Sequence, residues 1–155
     1  FKMTEIMPRT PSYSETIKTE IVCPNDTNPV GILMGGRLVE WMDVAAAVCA
    51  QVHTEQVCVT AMINKVAFRK PAKIGDVITI KASITRAFRT SMEIKVTAAA
   101  RNYLSGNQYD VSDAYFTFVA LNKDGKTTEV PGVLPETDSE LNEYEQALVR
   151  KNSNI

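Results

Sequence analysis

The chain has 155 residues, of which 45% are hydrophobic and 23% charged, enough to bury roughly 70% of its unfolded surface without a metal or disulfide staple. Seventeen Lys and Arg stand against eighteen Asp and Glu, a formal net charge of -1. No basic block dominates any segment, which excludes the broad electrostatic footprint of a general nucleic-acid binder.

The opening FKMTEIMPRTPSY has neither a long apolar core nor a signal-cleavage pattern, and Met3 reads as the natural start with Phe1 and Lys2 as an extension. No run of about 18 apolar residues follows, so no membrane span is expected. The three cysteines, Cys23, Cys49 and Cys58, lack metal-ligand spacing and sit among apolar residues. They predict buried thiols, no metal site and a cytoplasmic protein.

Ser14 to Cys23 alternates Thr16, Lys18 and Glu20 with Ile17, Thr19 and Ile21 and predicts a strand with one wet side. Pro24 then opens CPNDTNPVGILMGG, a structured loop rich in turn residues with a short apolar anchor. From Arg37 to His53, RLVEWMDVAAAVCAQVH has no Gly or Pro and spaces Leu38, Met42, Ala45, Ala46, Cys49 and Val52 for a helix. Val39, Trp41, Val44 and Val48 widen its apolar surface beyond one stripe, so it is expected to be wrapped on more than one side.

Four long segments rich in Val, Ile, Thr, Tyr and Phe follow: Val57–Phe68, Asp76–Phe88, Met92–Tyr103 and Tyr109–Leu121. They predict strands, and the Gly, Asn and Asp clusters between them favour antiparallel neighbours. Pro131 and Pro135 end the sheet region, after which Thr137 and Glu140 form a capping box for a helix over Asp138–Arg150. That helix is thinly apolar, and residues 151–155 are expected to fray. The expected division is a principal domain over 14–135 and a helical tail over 136–155. One helix cannot cover strands this long on both faces, so self-association through an edge strand is expected.

The segments DTNPVGILMGGRLVEWMDVAAA, VTAMINKVAFRKPAKIGD and AFRTSMEIKV resemble, in the same order, the hotdog-fold acyl-coenzyme A thioesterases, most closely the cytosolic acyl-coenzyme A hydrolase group. The resemblance spans about Ser14 to Pro131. It implies an α+β fold with a long central helix wrapped by a curved antiparallel sheet, dimers sharing a continuous sheet, and a trimer of such dimers. It also implies hydrolysis of acyl-coenzyme A to a carboxylic acid and coenzyme A. Coenzyme A would be part of substrate and product, and no resident cofactor is required. A noncatalytic acyl-coenzyme A binding or sensing protein on the same fold is the alternative.

On the residues alone, Asp43 is either a carboxylate on a solvated helix strip or a functional acid, since the following Val-Ala-Ala-Ala-Val makes an uncompensated charge costly. The resemblance implies the catalytic aspartate, acting as general base toward water or attacking the thioester directly. Asn28 is by composition a turn residue, and the resemblance implies an amide that orients water or donates to a carbonyl oxygen. Gly35 and Gly36 let a substrate approach the amides of the first helical turn, where an oxyanion is stabilised.

Thr60 is an ordinary strand residue or, by resemblance, a hydroxyl bonding the water or Asp43. Many relatives carry His before the glycine pair, whereas this chain has Met34, which cannot carry a proton. The single histidine, His53, is explained by the dipole and a capping role at the far end of the helix. Arg69, Lys70, Arg86, Arg89, Thr90 and Ser91 are candidate contacts to coenzyme A phosphates, although each alone reads as solvated surface. Seven residues separate Gly36 from Asp43, roughly 10 Å along a helix. That is long for two groups acting on one carbonyl, so the site is expected to be shared between two protomers.

Overall fold

The computed structural model describes residues 7–153, so the reading of Met3 as the start falls outside the described residues. A short helical turn, α1 (Pro11–Ser14), leads into β1 (Thr16–Ile21), and the loop after it enters the long helix α2 (Gly35–Thr54). Four strands follow, β2 (Val57–Phe68), β3 (Val77–Ala87), β4 (Ser91–Arg101) and β5 (Gln108–Leu121), and α3 (Asp138–Ser153) ends the fold. They form one antiparallel sheet in the order β1-β3-β4-β5-β2. This is the α+β hotdog arrangement.

The sheet takes one face of α2. Ile78, Ile80 and Ala82 of β3, Ile94 and Val96 of β4, and Phe116 and Phe118 of β5 are all buried with Leu38, Met42, Ala45, Ala46 and Cys49 of the helix. Val44, Val48 and Val52 on another side of α2 remain 41–47% exposed. Val52 shares the helical spacing of Leu38, Met42, Ala45, Ala46 and Cys49, yet unlike them it is not buried. The helix is apolar on two sides, and a single chain covers only one.

The wet side of β1 is the one that carries Ile17, Thr19 and Ile21. Ile17 and Ile21 are exposed, while Thr16, Lys18 and Glu20 lie opposite Ala82, Ile80 and Ile78, residues that face α2. Lys18 and Glu20 pair with each other, which makes a polar edge of the concave face tolerable. Cys23 is also exposed, whereas Cys49 and Cys58 are buried as expected. Burial pushes the Cys49 thiol up to about 11, far from reactive.

The capping box forms: Glu140 N–H donates to Thr137 Oγ1 at 3.0 Å, and Thr137 N–H to Glu140 Oε1 at 3.3 Å. The docking of α3 is firmer than its few apolar residues suggest. Ala147 is fully buried, Arg86 stacks on the Tyr144 ring at 4.1 Å, and Arg150 grips Glu93 through two bonds of 2.8 and 2.9 Å. Lys95 donates to Glu143 at 2.7 Å. Burial alone would raise Glu143, but Lys95, Tyr115 and Arg150 hold its carboxyl below the usual range. Helical order continues through Ser153, beyond the expected fraying point.

His53 does not cap α2. It is fully buried and its Nε2 meets the Pro131 carbonyl at 2.8 Å, while Nδ1 has no partner. Arg9 supplies the cap, donating to the carbonyls of Val52 and His53. Burial lowers the His53 pKa, the bond to Pro131 partly offsets it, and the Arg9 charge adds a smaller lowering. The unfolded histidine titrates near pH 6.5, so below that value the unfolded chain binds the extra proton and folding weakens. Stability from this group is complete above about pH 6.5 and is lost as pH falls through the lowered folded value. Melting temperature is expected to fall between about pH 7 and 5, with a shallower slope in His53→Gln. An equal slope in that variant would exclude His53 as the cause.

Candidate active site

The loop before α2 is built by its own side chains. The Asp26 carboxylate accepts the Cys23 N–H at 2.9 Å and lies 3.6 Å from Arg37, while the Asp26 carbonyl accepts the Met34 N–H at 2.9 Å. Asp26 thereby joins the Asn28 loop to the first turn of the helix. It was not singled out in the sequence, where its position in PNDTN reads as turn chemistry alone.

Asn28 has its carbonyl consumed by this loop. Oδ1 accepts the N–H groups of Val30 and Ile32, both at 3.1 Å. Two backbone donors fix the orientation of the amide, so the group left free is Nδ2, a donor. The side chain can therefore bind an oxygen by donation and cannot take a proton from water.

Gly35 and Gly36 are the first two residues of α2, inside the helix and not ahead of it. The N-cap, Met34, makes no side-chain bond to the turn, and the first intrahelical bond runs from Leu38 N–H to Met34 O. The amides of Gly35, Gly36 and Arg37 precede that bond and have no helical acceptor. An ordinary Ser or Asp cap would occupy one of them. Nothing lies within 4 Å of the point where a Gly36 Cβ would stand, so an oxygen can reach these donors at the positive end of the helix.

Asp43 lies two turns further along. Thr60 Oγ1 donates to Asp43 Oδ1 at 2.7 Å, which fixes one carboxylate oxygen and leaves Oδ2 available. Thr60 faces α2 because β2 pairs it with Phe118, a core residue of β5. The strand then bulges between Thr60 and Met62 and again between Asn64 and Ala67, where Lys65 takes φ 54°. β2 pairs only with β5, so its other edge, with Asp43 and Thr60 near it, is uncovered. No hydrogen bond joins Asp43 to Asn28 among the described residues. Thr60→Val is expected to lower kcat about tenfold, the worth of one bond to a charged group; an unchanged kcat would make Thr60 an ordinary strand residue.

The candidate phosphate contacts divide between two ends of the sheet. Arg69 and Lys70 line a cavity that also touches Gly35 at the start of α2, whereas Arg86, Arg89, Thr90 and Ser91 lie at the β3–β4 hairpin. Arg69 is tied to Asp113 at 2.7 Å, Lys70 lies 5.1 Å from the Tyr109 ring centre, and Arg86 holds α3. Arg89 is exposed. Among the described residues, no group of three or more His, Cys, Asp or Glu is placed to hold a metal ion, and no helix is long and apolar enough to cross a membrane.

The family model described as Thioesterase superfamily matches residues 30–102. An uncharacterized acyl-CoA thioester hydrolase of Bacillus subtilis is 34% identical over 90% of this chain and 81% of its own. The cytosolic acyl coenzyme A thioester hydrolase of Rattus norvegicus is 35% identical over 90% of this chain, which spans only 37% of that longer protein. A solved apo-hexameric acyl-CoA thioesterase superposes with a TM-score of 0.92 at 35% identity, covering 95% of both chains. The acyl-CoA hydrolase of Staphylococcus aureus, solved with butyryl coenzyme A and coenzyme A, gives 0.89 at 35% identity over 95% of this chain and 90% of that one. The S. aureus enzyme has also been solved as three separate single variants, with alanine in place of an aspartate, a threonine or an asparagine.

Proposed function

The chain belongs to the thioesterase superfamily, and from that premise we propose that it hydrolyses acyl-coenzyme A to a carboxylic acid and coenzyme A. The observation that carries this reading is the Asp43 carboxylate held by Thr60 on the uncovered side of the helix. Its supports are the uncapped amides at Gly35 and Gly36 and the free Nδ2 of Asn28.

Asp43 Oδ2 takes a proton from water as the water oxygen bonds to the thioester carbonyl carbon. The carbonyl oxygen gains negative charge and is met by the Gly36 amide, with Asn28 Nδ2 as a second donor. Collapse of the tetrahedral intermediate breaks the C–S bond, and the proton held by Asp43 passes to the departing sulfur. Water is the only co-reactant.

Two copies complete the site. Pairing along the free edge of β2 continues the sheet and brings the uncovered sides of two α2 helices together, covering Val44 and Val48. The Asp43 of one protomer then serves the Asn28 and helix start of its mate. A trimer of such dimers is supported by the hexameric relative, and a cytoplasmic location by the rat relative named cytosolic.

Free-thiol release from a panel of acyl-coenzyme A substrates tests the activity. Saturable binding without thiol release would favour a noncatalytic acyl-coenzyme A sensor.

A further inference from the structure

The two flanks of the α2 start differ. Beside Gly35 lies a cavity of about 270 Å³ lined by Leu33, Leu38, Phe68, Pro71, Ala72 and Val111. Leu33, Leu38, Ala72 and Val111 belong to the buried core, so its floor is fixed. Phe68 is 60% exposed, and its ring stands over Gly35, where a Cβ would lie 3.4 Å from two ring carbons. Beside Gly36 the space is open.

Several polar atoms around this cavity already have partners, while the Gly35 amide at its rim does not. Leu33 N–H donates to Ala72 O and Arg69 N–H to Val111 O, at 2.9 and 2.8 Å. The Arg69 guanidinium is held by Asp113, and the Lys70 ammonium lies over Tyr109. A guest with amides or phosphates would give up water along a lining made mostly of apolar side chains. A hydrocarbon chain loses nothing of that kind and gains the apolar wall.

We propose that this apolar flank holds the acyl chain of the substrate and that Phe68 and Ala72 set the longest chain accepted. The proposal rests on the thioesterase reading. With the carbonyl oxygen at the Gly36 amide, the two substituents of the carbonyl carbon diverge: the acyl carbon enters the apolar cavity and the sulfur leaves by the open flank with coenzyme A. At ~30 Å³ for each small group, comparable to a water in the liquid, the cavity holds roughly eight or nine chain carbons. Short and medium acyl chains are the substrate class, and Phe68 is the wall that can move.

The test is kcat/KM for acetyl-, butyryl-, octanoyl- and lauroyl-coenzyme A in the wild type, Ala72→Leu and Phe68→Ala, with melting curves for each. Ala72→Leu fills the floor and is expected to lower the octanoyl-to-acetyl ratio about tenfold, the equivalent of two buried methylenes. Phe68→Ala opens the wall and is expected to raise the lauroyl-to-octanoyl ratio about fivefold. Because Phe68 is exposed, that variant keeps the test open if the core substitution prevents folding. Ratios unchanged while every substrate declines together would place part of coenzyme A in the cavity and overturn the proposal. No thiol release by the wild type from any substrate would overturn the thioesterase reading itself.

Discussion

Asp43→Asn is expected to lower kcat by about 10³-fold, within the range for loss of a positioned general base, while the melting temperature moves little. The substitution separates chemistry from structure. An asparagine oxygen can still accept the Thr60 hydroxyl that holds Asp43 at 2.7 Å, and the half-buried position keeps a side chain of the same shape. The amide cannot take a proton from water. Substrate affinity should change less than turnover, since the donors that meet the carbonyl oxygen belong to Gly36 and Asn28. Near-normal turnover across the acyl series would remove Asp43 from the reaction.

Val48→Glu is expected to yield folded monomers with turnover reduced at least 100-fold, because a shared site loses half of its groups when the copies separate. Val48 is 42% exposed on the side of α2 that the sheet does not cover. In a two-fold dimer one substitution places two like charges near the shared axis, so dissociation should exceed what one buried charge alone would cause. Sedimentation reads the assembly and circular dichroism the fold. A folded monomer with full activity would mean that each chain holds a complete site.

The fold was legible where side-chain period and burial agree. Val57–Phe68 was bounded in the sequence as in the structure, and the wide apolar surface of α2 announced a second covering that one chain does not provide. β1 was less legible because both of its faces are mixed, and alternation reports that one face differs from the other without saying which turns inward. His53 was misread for a related reason: position near a helix end suggested a cap, while its burial depends on Pro131, which is distant in sequence. The ion network beneath α3 depends on Glu93 and Lys95 facing outward from β4, a matter of register that composition does not reveal.

The site was legible in its chemistry more than in its supports. Asp43 stood out as an acid among apolar residues, and the glycine pair marked the helix start, although it forms the first turn itself. That Asn28 can only donate follows from two backbone bonds no motif records, and the supporting role of Asp26 and the wall formed by Phe68 emerge only from packing.

The most direct measurement of the central claim, a site built from two copies, mixes two inactive variants. Asp43→Ala and Asn28→Ala are unfolded together, refolded and assayed for thiol release beside each variant refolded alone. A mixed dimer contains one site with Asp43 from one protomer and Asn28 from the other, and one site lacking both. Random pairing is expected to restore about a quarter of wild-type activity. Mixed dimers that form and show no recovery would contradict the shared site.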